Sequence, residues 1–414
     1  MKYNVAIIGG GPAGMMAAGR AGELGARVIL IEKNKELGIK LLMTGNGRCN
    51  IMNFTEDMKE IAGKFGKNGK FLFSALNIFS VQDTAEFFRS RGLPIKVEEN
   101  NKAYPESGKA MDVLDVLVKY MTDGNVDVRT DSKVKDLSVS GNKIDKILLE
   151  SGEEIEADEY IIATGGLSYP LSGSSGDGFT WAKKLGHNVT GLHPALAPII
   201  VNESIVGELE GLSLKNVRIS IYNQNGKKIE SRRGDAIFTK NGMSGPAIID
   251  LSKRIGEELP GVLIKIDLLP DLDFDKLDLA MQRDFYVKRN KLFRNSFDGL
   301  LPNKLIPVVI GLSGINPAKK VNSISKDERK KILHLVKEFA LSVKELAGFE
   351  KAVVTSGGVK LSEVDPKTMR SKIIENLHFA GEILDLDGPT GGFNLQMCWS
   401  TGFVAGESAA KNRK

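Results

Sequence analysis

An α/β fold with β-rich and helical segments inserted into a nucleotide-binding part is predicted from three observations. The chain opens with strand, glycine turn, helix, strand and acid over residues 5–32. Its character changes near Gly191, where short β-rich runs replace alternating strand and helix signals. The first pattern returns near Ser356.

The opening unit carries the most information. Val5-Ala6-Ile7-Ile8 is apolar, Gly9-Gly10-Gly11-Pro12-Ala13-Gly14 follows, and Met15 to Gly22 reads as a helix. A second apolar run, Val28 to Ile31, ends at Glu32. This is the dinucleotide fingerprint in its βαβ context. Gly9 permits the tight turn, Gly11 lets a pyrophosphate approach the backbone, and Gly14 lets the helix pack on the strand. Pro12 suits a first helical turn, whose N–H groups have no partner within the helix. Those N–H groups and their partial positive charge attract phosphate. Glu32, followed by Lys33, stands where ribose hydroxyls are held.

Further along the first part, Ser80 to Arg91 reads as a helix with Phe87 and Phe88 inward and Gly92 closing it. Met111 to Tyr120 is another helix, and Val126 to Val128, Ile144 to Leu149 and Tyr160 to Ala163 are strands. Between Gly191 and Leu269, Val217 to Tyr222 and Val262 to Ile266 read as strands between polar turns. Asp271 to Gly348 reads as helical, with Lys326 to Lys344 as one amphipathic helix. Ala352 to Thr355 is a β run, Leu377 to Ala380 a late strand, and Gly392 to Ala410 a final helix. The expected divisions are 1–190 and 356–414 for the nucleotide-binding part, 191–270 for a β-rich domain to which 349–355 returns, and 271–348 for a helical domain.

Composition narrows the classes. The chain has 414 residues, a formal net charge of +5 and two cysteines, Cys49 and Cys398. That length supports two or three domains. The charge is spread thinly, so no nucleic-acid partner is expected. Without a CxxC pair, a disulfide framework, a zinc knuckle and a dithiol centre are not expected, and no metal is assigned. No apolar segment is long enough to span a bilayer. The N-terminal apolar run is short and belongs to the glycine motif, so a cytoplasmic location is expected.

Three more segments carry chemistry. Thr44-Gly45-Asn46-Gly47-Arg48-Cys49-Asn50 is a second glycine-rich loop with a fixed cation. Ala163-Thr164-Gly165-Gly166 ends a strand, where crevices of nucleotide-binding sheets lie. Asp177 reads as a helix cap. Phe379-Ala380-Gly381-Glu382 ends another strand, and Gly388 to Gln396 opens the last helix. A carboxylate there suits sugar or ribitol hydroxyls, and a helix N-terminus suits a developing anion. Both fit an extended flavin dinucleotide better than a nicotinamide one.

With these segments assembled, the chain resembles the BaiN/RdsA-type family of FAD-dependent oxidoreductases, also known as aminoacetone oxidases or NAD(FAD)-utilizing dehydrogenases. The resemblance runs through GGGPAG at 9–14, KLLMTGNGRCN at 40–50 and ATGGLSYPLSGSSGDG at 163–178. It continues through FTKNGMSGPAII at 238–249, VTSGGVKLSEVDPKTMRSK at 354–372 and FAGEILDLDGPTGGFNLQ at 379–396. It implies a two-dinucleotide-binding-type FAD flavoprotein fold, Rossmann-like, with inserted β-rich and helical domains. The family often has glycine or serine at Asn46 and His-Phe-Gly at Lys240-Asn241-Gly242, so no histidine role carries over there.

Within the resemblance, Gly9, Gly11, Pro12, Ala13, Gly14, Glu32 and Lys33 should hold the ADP half, with Val134 meeting adenine through its backbone. Gly45, Asn46, Gly47, Arg48, Cys49 and Asn50 should lie along the flavin. Ala163, Thr164, Gly165, Gly381, Glu382, Gly392, Phe393, Asn394 and Leu395 should complete the site. The family implies reduction of a conjugated C=C beside a carbonyl, as in a 3-oxo steroid or bile-acid-like compound, with NADH or NADPH as donor. An amine oxidase forming hydrogen peroxide, a tRNA-modifying flavoprotein and a non-catalytic flavin-binding protein are the alternatives. Reduction of an enone needs an oxyanion donor and a proton source; Tyr169, Tyr104, Lys40 and Arg48 are the candidates. The inserted domains are expected to roof a small-molecule substrate, with Phe238, Met243, Ile248 and Phe393 as apolar wall.

Overall fold

The computed structural model describes residues 2–412. They divide into two compact units, one up to Pro194 and again from Phe349, the other Ala195–Gly348.

The first unit is built on a seven-stranded sheet. Its order runs Asp127–Arg129, Val28–Ile31, Tyr3–Ile8, Glu154–Ile162, Lys143–Leu149, Val134–Ser140. Leu377–Phe379 pairs in parallel with the far end of Glu154–Ile162. The first four strands are parallel. Val5, Ala6 and Ile7 are fully buried, as strands covered on both faces require. The three strands from Val134 to Ile162 form an antiparallel meander. One nine-residue strand therefore serves both arrangements: Glu154 to Glu156 pairs with the meander and Tyr160 to Ile162 with the parallel strands.

Helix Pro12–Glu23 follows the glycine turn, and Phe393–Lys411 ends the unit. The two helices touch through small residues. A Cβ on Gly402 would lie 2.4 Å from the Ala13 carbonyl oxygen, and one on Gly406 would lie 2.3 Å from that of Ala17. Helix Val81–Ser90 starts with a capping box, in which Ser80 accepts from the Asp83 amide and Asp83 accepts from the Ser80 amide. Phe87 and Phe88 are buried.

The second unit is a closed six-stranded barrel with helices. The strands run Ile199–Val201, Gly242–Ser244, Lys228–Thr239, Ser213–Tyr222, Leu263–Asp267 and Phe339–Leu346, and the last pairs with the first. Val217, Ile219 and Ile221 alternate inward with the strand period of two. Helix Pro246–Glu258 adds Ile248, Leu251 and Ile255 to the same core.

Three expectations are corrected here. The amphipathic stretch Lys326 to Lys344 is not one helix: the helix ends at Lys337, and Phe339–Leu346 is the strand that closes the barrel. Phe339, Leu341 and Val343 are buried in alternation, whereas Ile332, Leu333 and Val336 have helical spacing. The segment 349–355 groups with the first unit instead of returning to the β-rich one. Phe238, Met243 and Ile248 are almost completely buried in the barrel core, so they offer no wall to a substrate.

Candidate functional site

The glycine turn gives each glycine a separate task. Gly9 has φ +113°, and a Cβ there would lie 2.5 Å from the Ala163 carbonyl oxygen. A Cβ on Gly14 would lie 1.9 Å from the Gly9 carbonyl oxygen. One on Gly11 would meet nothing within 4 Å. The first and third glycines thus seal strand against helix, and the middle one opens outward. Gly11 is also the helix N-cap and makes no side-chain cap hydrogen bond, so the first N–H groups, from Ala13 and Gly14, face that opening.

Glu32 is 9 % exposed. Its Oε2 accepts from the Gly10 amide at 2.7 Å, and its Oε1 accepts from the Asn34 amide at 2.9 Å. The carboxylate is therefore fixed beside the turn with lone pairs to spare. The Ser132 amide donates to the Glu32 carbonyl at 2.9 Å, which draws the start of Val134–Ser140 to the same place. An anion-attracting opening next to an acceptor-only carboxylate fits a dinucleotide: pyrophosphate on the amides, ribose hydroxyls on Glu32. Lys33 instead pairs with Asp177 at 2.7 Å and donates to the Ser175 hydroxyl. Asp177 is the first residue of helix Asp177–Lys184 and not its cap, which is Gly176.

A second cluster lies at the ends of Glu154–Ile162 and Leu377–Phe379. The Ala163 amide donates to the Ile8 carbonyl at 2.9 Å, and Thr164 and Gly165 follow, with Gly165 at φ +71°. Gly381, at φ +78°, would carry a Cβ 2.7 Å from that of Ala13. Next to it, Glu382 Oε1 accepts from the Thr355 amide at 2.8 Å and from the Ser168 hydroxyl at 3.0 Å. Its Oε2 lies 2.7 Å from Lys40 Nζ. Lys40 also donates to Ser168 Oγ at 2.7 Å. Glu382 was expected to meet sugar or ribitol hydroxyls; three of its four acceptor positions are already taken within the protein. Ser168 and Thr355, both fully buried, were missed by sequence reasoning. Their only signal is a hydroxyl two residues from a glycine pair in two of the matched blocks.

The third cluster joins the 44–50 loop to the last helix. Gly45, Asn46, Gly47 and Cys49 all have left-handed φ, between +56° and +81°. Asn50 donates to the carbonyls of Met52 and Ala103, and its side-chain oxygen accepts from the Gly392 amide at 3.2 Å. The loop is thus stitched to the start of helix Phe393–Lys411. Asn394 closes its own loop, accepting from the Gly388 amide at 2.8 Å and donating to the Gly388 and Pro389 carbonyls. Phe393 is buried and Leu395 half-buried. The Arg48 guanidinium sits 4.1 Å from the Tyr104 ring centroid and 2.6 Å from Glu98.

The structure therefore brings Lys40 to Glu382, and Arg48 to Tyr104. Tyr169, half-buried with φ +51°, donates its amide to the Phe349 carbonyl. Burial pushes the Tyr104 hydroxyl above its ordinary pKa, against the pull of Arg48. Cys49 and Cys398 are both buried, and burial pushes each thiol up to about 12. Among the described residues no group of three or more His, Cys, Asp or Glu could hold a metal ion, and no helix is long and apolar enough to cross a membrane.

The family described as HI0933-like protein Rossmann domain matches residues 3–408. The chain is 29% identical over 412 residues to a 3-dehydro-bile acid delta(4,6)-reductase of Clostridium scindens, covering 98% of this chain and 99% of that one. It is 31% identical over 413 residues to a ribosomal RNA dihydrouridine synthase of Escherichia coli, covering 99% of each. Among solved structures it is similar to a 3-ketosteroid-delta4-(5alpha)-dehydrogenase from Rhodococcus jostii RHA1, with TM-score 0.56 and 16% identity over 99% of this chain and 97% of that one.

Proposed function

The chain belongs to the HI0933-like family of Rossmann-domain flavoproteins and is a FAD-dependent oxidoreductase, and from that premise we propose that it reduces a C=C bond conjugated with a carbonyl group, using NADH or NADPH. A 3-oxo steroid or bile-acid-like enone is the proposed class, and the uracil ring, whose C5=C6 bond is conjugated with C4=O, shares its chemistry. The names of both curated relatives describe such a saturation: of a 3-dehydro bile acid in one, of uridine in the other.

One observation in the site carries the reading. Arg48 and Tyr104, stacked at 4.1 Å, pair a permanent cation with a phenol that burial keeps protonated. Saturating an enone adds hydride at the β-carbon and a proton at the α-carbon, with negative charge growing on the carbonyl oxygen. FAD, when bound, would supply the hydride, with a reduced nicotinamide as its proposed source. Arg48, fixed by Glu98, is a donor for the oxygen, and Tyr104 or Tyr169 is the proton source. Lys40, held between Ser168 and Glu382, keeps a third N–H for a phosphate or a carbonyl. Gly9, Gly11, Ala13, Gly14 and Glu32 would hold the ADP half; the 44–50 loop and the 392–395 helix start would hold the flavin.

The test is anaerobic reduction of the purified flavoprotein by NADH or NADPH, followed by mixing with oxygen, a 3-oxo-4-ene steroid, uridine or a primary amine. Reoxidation by a conjugated carbonyl compound, with its double bond saturated mole for mole, supports the proposal. Flavin reduction by the amine, with peroxide formed and no response to enones, assigns the protein to the oxidases instead.

A further inference from the structure

Helix Phe274–Val287 of the second unit is apolar on two sides. Leu277, Met281 and Phe285 face inward and are buried in the unit's own core. Leu279, Arg283 and Tyr286 stand at i, i+4 and i+7, so they share the opposite face. Leu279 is 49% exposed, Tyr286 72%, and Val287, beside it, 81%. The packing of the unit gives these three outward side chains no role. Phe274, at the other end, sets its ring 5.2 Å from that of His334 and lies off this face.

Cations surround the same end of the helix. Leu292 bridges Lys320, and the Val321 amide donates to the Lys291 carbonyl at 3.0 Å. The Asn322 amide reaches the Arg289 carbonyl and the Arg294 amide the Pro317 carbonyl. These contacts set Arg289, Lys291 and Arg294 alongside Lys320, all exposed, as is Arg283. The Arg289 guanidinium lies 5.5 Å from the Tyr286 ring centroid. Among the described residues, none of these five cations forms an ion pair. The nearby acids are engaged elsewhere: Asp278 with Arg329, Asp284 with Lys288, and Glu328 with Lys319. Asp298 lies 3.8 Å from Lys288, and Asp275 stands one turn before Leu279, at the far end of the face.

A patch with an apolar centre and a cationic edge fits the surface of an anionic bilayer. Leu279, Tyr286 and Val287 would enter the headgroup region, where a phenol ring is well placed, and the cations would meet lipid phosphates and carboxylates. Arg283 can lay its methylene stem along the apolar face while its guanidinium reaches a headgroup. A single-stranded nucleic acid would use the cations and one ring, but leave Leu279 and Val287 without a partner. A twofold pairing with a second copy of the chain would set the same unpaired cations against one another.

We propose that the outward face of helix Phe274–Val287, with Arg289, Lys291, Arg294 and Lys320 at its edge, docks the protein reversibly on an anionic lipid surface. This docking is independent of the reductase reading. Where that reading also holds, an apolar enone dissolved in the bilayer would lie on the surface that the enzyme visits.

The experiment measures flotation of the FAD-loaded protein with phosphatidylcholine vesicles, with and without phosphatidylserine, across a salt series. Labelled single-stranded RNA is titrated in parallel. One variant carries Arg283→Gln, Arg289→Gln, Lys291→Gln and Arg294→Gln; a second carries Leu279→Ser, Tyr286→Ser and Val287→Ser. The unchanged protein should prefer the vesicles that contain phosphatidylserine. The charge variant should bind them at least about tenfold more weakly, with a flatter salt dependence. The apolar variant should also lose about tenfold, with the salt dependence kept. Both should stay yellow and melt like the unchanged protein, because every altered side chain is exposed. A third variant, Tyr286→Trp, reads insertion directly: lipids brominated on their acyl chains should quench its added fluorescence.

No affinity of the unchanged protein for phosphatidylserine vesicles, equal binding by the charge and apolar variants, or no quenching of Tyr286→Trp each overturns the proposal. Binding to RNA alone, lost in the charge variant, assigns the patch to nucleic acid and overturns it as well. Vesicle binding lost in the variants, with no conjugated carbonyl reduced by any form of the protein, supports the docking surface and counts against the reductase reading alone.

Discussion

Lys40 Nζ lies 2.7 Å from Glu382 Oε2, joining the short helix Ile39–Met43, just before the second glycine-rich loop, to the segment that follows strand Leu377–Phe379 through a largely buried ion pair. Removing the cation leaves a carboxylate that keeps only the Thr355 amide and the Ser168 hydroxyl. Lys40→Met should therefore destabilise the cofactor-free protein by about 2 kcal/mol. Thermal unfolding checks this, with Lys40→Arg expected to recover most of the loss. An unchanged melting temperature in Lys40→Met would mean that the pair is screened by solvent.

Gly11 is the turn residue whose Cβ would enter open space. Gly11→Val should fold, because nothing in the protein obstructs it, yet retain no FAD. Absorbance of the purified variant and FAD titration of its cofactor-free form provide the measurement. FAD affinity equal to that of the unchanged protein would remove the pyrophosphate from this opening.

Cys49 is fully buried, with its thiol pushed up to about 12. Cys49→Ser should keep most reductase turnover, and the native thiol should resist maleimide at pH 8 until the protein unfolds. Complete loss of turnover with normal FAD content, or a disulfide to Cys398 that cycles with substrate, would give the residue a redox role.

Glu159 lies within the sheet, 2.8 Å from Arg370 and 3.6 Å from His378. Desolvation raises its pKa to about 7, outweighing the lowering by Arg370. A carboxyl whose folded pKa is above its unfolded value favours folding most below the unfolded pKa, near 4.5, and loses that contribution as pH rises to about 7. His378 works the other way: desolvation lowers its pKa to about 3, so its contribution is present above about 6.5 and falls as pH drops toward 3. Glu159→Gln should remove the first effect, so that stability relative to the unchanged protein improves between pH 5 and 7.5 in denaturant titrations. A constant difference across that range would show that Glu159 does not titrate there.

Much of the first unit was legible because its signals are local. The separate tasks of Gly9, Gly11 and Gly14 follow from a six-residue motif, and Ser80 announces helix Val81–Ser90 three residues before Asp83 completes the cap. The barrel was legible only as β-rich sequence. Its closure depends on Phe339–Leu346 meeting Ile199–Val201, a pairing no local pattern encodes. Ile332, Val336, Phe339 and Val343 also fit one helical stripe, so helix and strand merged until burial separated the two periods. At the candidate site, Ser168 and Thr355 were invisible because a hydroxyl reveals its partner only once the backbone has folded. Phe238, Met243 and Ile248 failed for a related reason: apolar character does not distinguish a core from a wall.

The contact of Gly402 and Gly406 with the carbonyls of Ala13 and Ala17 imposes an order on synthesis. The helix that opens at the glycine turn, Pro12–Glu23, emerges from the ribosome long before the helix it packs against, Phe393–Lys411. Until then, Ala13 and Ala17 face water and Gly381 has not reached the turn. The nascent chain should therefore be unable to retain FAD until helix Phe393–Lys411 has been made. Chain length, not cofactor supply, would set the moment of loading, and chains stalled before Phe393 should emerge colourless.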